Sequence, residues 1–213
     1  MGQYYSAINV DKKEVIHPHD YRCGAKLMEF SYLGSDGTTN DFLATLSTLI
    51  MGDWNGDRVY IVGDYADFEK YNDIDDLWLP TLHELKNEFE FGFEDREGDE
   101  VTLHRFAENW KIPDVDITDF RTLKFLCNSE TKEYIDLTEL PVQWENENGT
   151  TTAIHPLPLL IAMGNERGGG DYHEEHIGFE FVGRWVKHTK GIFFADEAPD
   201  DYTEFKPNFR EDY

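Results

Sequence analysis

Positive charge is what this 213-residue chain has least of: 19 Lys and Arg stand against 44 Asp and Glu, a formal net charge of −25 at pH 7. Direct binding to DNA or RNA needs cations that displace counterions from phosphates, and docking on an anionic membrane needs the same. The charge balance argues against both. Cysteine is nearly absent. Cys23 and Cys127 lie over a hundred residues apart with no motif around either, so two reduced, partly buried thiols are expected and no disulfide framework. No apolar run approaches the roughly 18 residues of a membrane-spanning helix. The opening Met1-Gly2-Gln3-Tyr4-Tyr5 has neither a basic region nor an apolar one, so a cytoplasmic location is expected. G-x-x-x-x-G-K-[ST], G-x-S-x-G and H-E-x-x-H are also missing, which leaves a P-loop, a nucleophile elbow and a zincin helix without support.

What is present suffices for a folded core. Aromatic residues make up 15% of the chain, with 15 Phe, 11 Tyr and 5 Trp, under a polar average composition of mean hydropathy −0.61. A chain of this length buries about 70% of its unfolded surface and needs no covalent staple. The acid surplus costs stability through self-repulsion. It is explained by solubility, by a cation-rich environment, or by a surface made for a basic partner.

Residues 3–10 read as a strand that turns at Asp11-Lys12-Lys13 and pairs back through Glu14 to Ile16. Lys26 to Leu33 alternates in strand fashion. Thr38 to Met51 carries Phe42, Leu43, Leu46, Leu49 and Ile50 on one stripe, a core-packing helix capped by Thr38 or Thr39 with its Thr and Ser outward. Arg58 to Val62 is apolar enough for a central strand. Leu82 to Phe89 suits a helix, Phe89, Phe91 and Phe93 an alternating strand, and His104 to Lys111 a short helix. Two hairpins follow, at 122–137 and 142–155. Asn148-Gly149 as a two-residue turn places Trp144 opposite Ala153 and Glu145 opposite Thr152. Leu159 to Met163 fits a strand or a short helix, and Gly178 to Phe194 is again strand-like. Hairpin signals outnumber helix signals, so the expected fold class is α+β: a single domain over 1–195, mostly antiparallel sheet with a few packing helices, then an acidic C-terminal surface segment over 196–213.

Three groups of residues carry candidate chemistry. From Asp64 to Glu100 there are fourteen acids against three bases. Asp64, Asp67, Asp73, Asp75, Asp76, Glu90, Glu94 and Asp95 are the candidate contacts to a basic partner. Asn165, Arg167, Gly168, Gly169, Gly170, Asp171 and Tyr172 are the alternative, a loop whose backbone N–H groups and guanidinium could cradle a phosphate or nucleotide. Its spacing matches no established phosphate motif, and a structural turn explains the glycines equally. Asp171, His173 and His176 have the chemistry of a divalent metal site, and His17, His19 and Asp20 form a second such cluster. No cofactor is required by the main reading.

Met1 to Tyr5, Lys26 to Tyr32, Gly63-Asp64-Tyr65-Ala66-Asp67, His155 to Leu160 and Gly168-Gly169-Gly170-Asp171-Tyr172 together resemble a family of uncharacterised bacterial and phage proteins. That resemblance implies a cytoplasmic, phage-borne setting and supplies no site residues. The expected function is therefore an acidic interaction protein that binds and inhibits a basic nucleic-acid-handling host protein, as a nucleic-acid mimic of the anti-CRISPR or anti-restriction kind.

Overall fold

The computed structural model describes residues 2–34, 40–66, 103–117, 123–145, 147, 149, 151–164 and 172–210. Strand β1 (Tyr5–Asn9) is buried along its whole length. Its alternate side chains enter two different clusters: Tyr5 and Ala7 join the main core, while Ile8 joins a second one. β1 is internal to its sheet, pairing with β2 (Glu14–Ile16) on one side and β4 (Val59–Gly63) on the other, both antiparallel. β4 in turn pairs in parallel with β9 (Ala162–Met163), giving the order β2-β1-β4-β9.

The turn between β1 and β2 is pinned by polar groups. Lys13 sits in the left-handed region at φ 54°. Asn9 accepts from the Lys12 N–H at 3.0 Å and donates to Asp57 at 2.8 Å. Asp11 takes both the Arg58 backbone N–H, at 2.7 Å, and its guanidinium. Burial alone would raise the Asp11 carboxyl, but hydrogen bonds and charge from Arg58 hold it below its ordinary value.

A second sheet has the order β10-β5-β6-β11, from β5 (Phe125–Asn128), β6 (Glu133–Asp136), β10 (Ile192–Ala195) and β11 (Thr203–Glu204). Only the β11–β6 pairing is parallel there. A third, fully antiparallel sheet joins β3 (Tyr32–Gly34), β8 (Thr151–Ile154) and β7 (Val142–Glu145). Helix α1 (Asp41–Met51) and two short helices, α2 (Leu103–Ala107) and α3 (Pro156–Leu160), complete the described elements together with three 3-10 turns. One hydrophobic cluster draws on all three sheets, on α1 and α3, and on Tyr172, Trp185 and Phe209. α2 covers the opposite face of β1 and β4 through Leu103, Phe106 and Ala107. The fold is α+β with mostly antiparallel sheets, as the hairpin signals imply.

Several local expectations change. Residues 26–31 are turns, not strand: Glu29 N donates to Lys26 O at 2.9 Å and Ser31 Oγ to Leu27 O at 2.6 Å. The cap of α1 is Asn40, whose side chain accepts from Leu43 N at 2.8 Å. Thr45 and Ser47 are buried and bond carbonyls one turn back, at Asp41 and Leu43, which satisfies their hydroxyls inside the core. The second hairpin is displaced by one residue from a two-residue turn: Trp144 faces Thr152 and Glu145 faces Thr151, with a bulge between Val142 and Trp144. Gly149 holds φ 78° at its tip, the left-handed corner that a longer, bulged turn requires. Leu157 to Met163 is helix and strand in succession, because His155 caps α3 and Pro156 enters at its first turn. Phe179–Phe181 and Val186–Gly191 are 3-10 turns, and only Ile192–Ala195 is strand. The helix and strand expected within 82–93 lie outside the described residues.

Candidate functional site

Because β4 and β9 are parallel neighbours, their carboxyl ends open side by side. Asp64, where the acid-rich stretch begins, follows β4; Gly164, where the glycine loop begins, follows β9. Ends of adjacent parallel strands are where crevices form in open sheets. The N-terminal segment crosses the same place. Tyr5 donates its hydroxyl to Gln3 Oε1 at 2.9 Å, with both residues buried. Gly63 and Gly164 make room for that pair: a Cβ on Gly63 would strike the Gln3 side chain, and one on Gly164 would strike Tyr5 Oη and Gln3 Oε1. Asp64 ties the edge together, donating its N–H to Tyr4 O at 2.8 Å and accepting from Tyr4 N at 3.0 Å. Burial raises its carboxyl above the ordinary value, and backbone N–H groups of Tyr4, Asp64 and Tyr65 offset part of that.

Of the candidate partner contacts, Asp67, Asp73, Asp75, Asp76, Glu90, Glu94 and Asp95 lie outside the described residues, as do Asn165, Arg167, Gly168, Gly169, Gly170 and Asp171 of the ligand loop. Tyr172 is described, and it is an anchor of the core. It is 1% exposed, its hydroxyl meets the Ile177 carbonyl and accepts from Arg210 N at 2.9 Å, and its ring packs edge-on against Phe209. His176 stacks on Tyr172, and its Nδ1 accepts from His173 N at 3.1 Å. Among the described residues, no group of three or more His, Cys, Asp or Glu side chains is placed to hold a metal ion.

Sequence reasoning missed a polar chain beside this edge. Ser6 is 2% exposed. Its Oγ lies 2.8 Å from His17 Nδ1 and 3.1 Å from His104 Nε2. One hydroxyl has one proton, so Ser6 donates to one ring and accepts N–H from the other. Burial lowers the His104 imidazole to about 4, with Glu108 opposing and His17 adding to the shift; the ring is neutral at pH 7. The three residues come from β1, from the start of the 3-10 turn before Pro18, and from α2. His19 turns elsewhere, its Nδ1 3.2 Å from Cys23 O and its ring 6.2 Å from that of Tyr4.

Six of the described cations are spent against carboxylates. Arg58 pairs with Asp11, Lys12 with Asp57 at 3.1 Å, Lys111 with Glu14 at 2.9 Å, Arg184 with Glu133, Lys132 with Asp201, and Lys206 with both Glu139 and Glu204. Exposed acids remain around them, among them Asp114, Asp116, Glu174, Glu175, Asp196 and Glu197. No helix among the described residues is long and apolar enough to cross a membrane. Comparison with protein-family models, with curated proteins and with solved structures finds no match for this chain.

Proposed function

We propose that this chain is an acidic interaction protein that binds and inhibits a basic nucleic-acid-handling protein in the bacterial cytoplasm, in the manner of a phage-borne nucleic-acid mimic. The supporting observation is the way its cations are used. Each Lys or Arg in the ion pairs above faces a carboxylate of the same chain, so its field is cancelled locally. With a net charge of −25, acids far outnumber the cations, and among the described residues Asp114, Asp116, Glu174, Glu175, Asp196 and Glu197 are exposed to solvent. Such a surface attracts a positively charged groove over about a Debye length, and the attraction weakens as that length shrinks from ~10 Å at 0.1 M salt to ~3 Å at 1 M. Capture from bacterial lysate at low and high salt tests it. Basic DNA- or RNA-handling proteins retained at low salt and released at high salt are the expected result. Retention that ignores salt, or of proteins without a basic face, contradicts it.

One observation favours a second reading, a site for a small anionic ligand such as a nucleotide. Gly63-Asp64 and Gly164 leave adjacent parallel strands at the same edge, and the loop carrying Arg167 starts there. Under that reading Arg167→Ala removes binding of a nucleotide and neutralising the acids has no effect.

A further inference from the structure

A cavity of about 180 Å³ lies between the end of β6 and the segment after β11. Its apolar wall is Ile135, Leu140, Phe205 and Pro207, and its rim carries Glu139 and Glu204. The wall is fixed from behind. Phe205 N donates to Tyr134 O at 2.7 Å, and the Phe205 ring is held by Phe181, 5.1 Å away, and by the Arg184 guanidinium, 4.6 Å away. Lys206, the one cation in the lining, is bound by Glu139 at 3.0 Å and Glu204 at 2.9 Å, and Asp136 adds a further carboxylate. The rim is therefore net negative around an apolar interior. The volume is comparable with the ~150 Å³ cavity that holds a benzene ring.

We infer that this cavity is an anchor pocket, taking one aromatic or leucine-sized side chain carried on a basic segment of the partner. The inference rests on the proposed acidic-interaction function and names where that partner is gripped. A large charged surface steers association but holds weakly, whereas a desolvated apolar side chain in a rigid pocket supplies most of an interface's affinity. The acids on the rim select the flanking Lys or Arg, and the pocket selects the residue between them.

The test uses the full chain and two acetylated, amidated pentapeptides, Lys-Lys-Phe-Lys-Lys and Lys-Lys-Ala-Lys-Lys, titrated by calorimetry and by methyl NMR. The phenylalanine peptide is expected to bind more tightly, on the order of ten- to a hundredfold for one buried aromatic side chain. It is also expected to shift the Ile135 and Leu140 methyl signals, and Leu140→Trp, which fills the cavity, is expected to remove its advantage. Equal affinity of the two peptides, or a preference with shifts elsewhere, overturns the pocket and leaves the charge-based function standing. Failure of both peptides to bind overturns both. The wild-type comparison decides even where Leu140→Trp does not fold.

Discussion

Trp54 donates its indole N–H to Glu14 across 2.7 Å, and the other oxygen of that carboxylate takes Lys111 at 2.9 Å. Trp185 and Glu133 repeat the arrangement at 2.9 Å, with Arg184 as the cation. Both indoles are almost wholly buried, at 1% and 0% exposure. Part of the acid surplus is thus internal structure that satisfies the polar edges of two large core residues. These carboxylates are not available to a partner.

Glu14→Ala and Glu133→Ala are therefore expected to destabilise the fold by roughly 1–3 kcal/mol each, because each leaves a buried indole N–H without its acceptor. Glu→Gln keeps an acceptor and is expected to cost less. Burial raises both carboxyls, but Trp54 and Lys111 for Glu14, and Arg184 and Trp185 for Glu133, bring them below the ordinary value. Their contribution is fully present above the unfolded-state value near 4.5 and is lost as pH falls through the folded-state value. Urea unfolding of the variants at pH 7 and in acid checks both statements.

His104 titrates with the opposite chemistry and the same sign. Its folded-state value of about 4 lies below the ordinary 6.5, so the unfolded chain binds more protons between those values and stability falls as pH drops from 6.5 to 4. His155, buried and lowered to about 3, adds to the loss. His104→Gln is expected to flatten the stability profile between pH 7 and pH 5. An unchanged slope places the acid sensitivity elsewhere.

Gly164→Ala is expected to cost on the order of 1–3 kcal/mol through overpacking against Tyr5 and Gln3. Tyr5→Phe in the same background is expected to recover part of it by removing the hydroxyl that the new methyl meets. Thermal unfolding of the two variants reads this directly; additive losses would mean the glycine makes room for something other than Tyr5.

Both cysteines are free, Cys127 buried and Cys23 partly so. Burial raises the Cys127 thiol to about 11, and burial with Glu29 raises Cys23 less. A disulfide reagent on the native chain is expected to modify Cys23 first and Cys127 only on unfolding. Equal rates would contradict the packing of β5 against β10.

Much of the framework was legible in the residues. The β1–β2 hairpin, α1, β4 and the β5–β6 hairpin announce themselves through local alternation, a helical stripe and turn residues. Errors arose where local signals are degenerate. Lys26 to Ser31 alternates like a strand, yet Glu29 closes a turn on its own backbone by accepting from Lys26 N at 3.0 Å. Asn148-Gly149 signals a turn but not its length, so the register slipped by one. Thr45 and Ser47 look outward only until their hydroxyls find carbonyls one turn back. The Ser6–His104 contact left no trace in the sequence, because 98 residues separate its members and no motif spaces them. Charge was legible in amount but not in arrangement, and the pairing of Lys12, Arg58, Lys111, Lys132, Arg184 and Lys206 with carboxylates is a property of the fold alone.

The most direct test of the acidic-interaction account is the affinity of a captured basic partner for three forms of this chain, measured at low salt with duplex DNA as competitor. The wild-type chain and Arg167→Ala are expected to bind the partner equally and to be displaced by DNA. A chain with Asp73, Asp75, Asp76, Glu90, Glu94 and Asp95 changed to Asn or Gln is expected to lose binding. Full binding by that neutralised chain, or its loss on Arg167→Ala alone, would contradict the account.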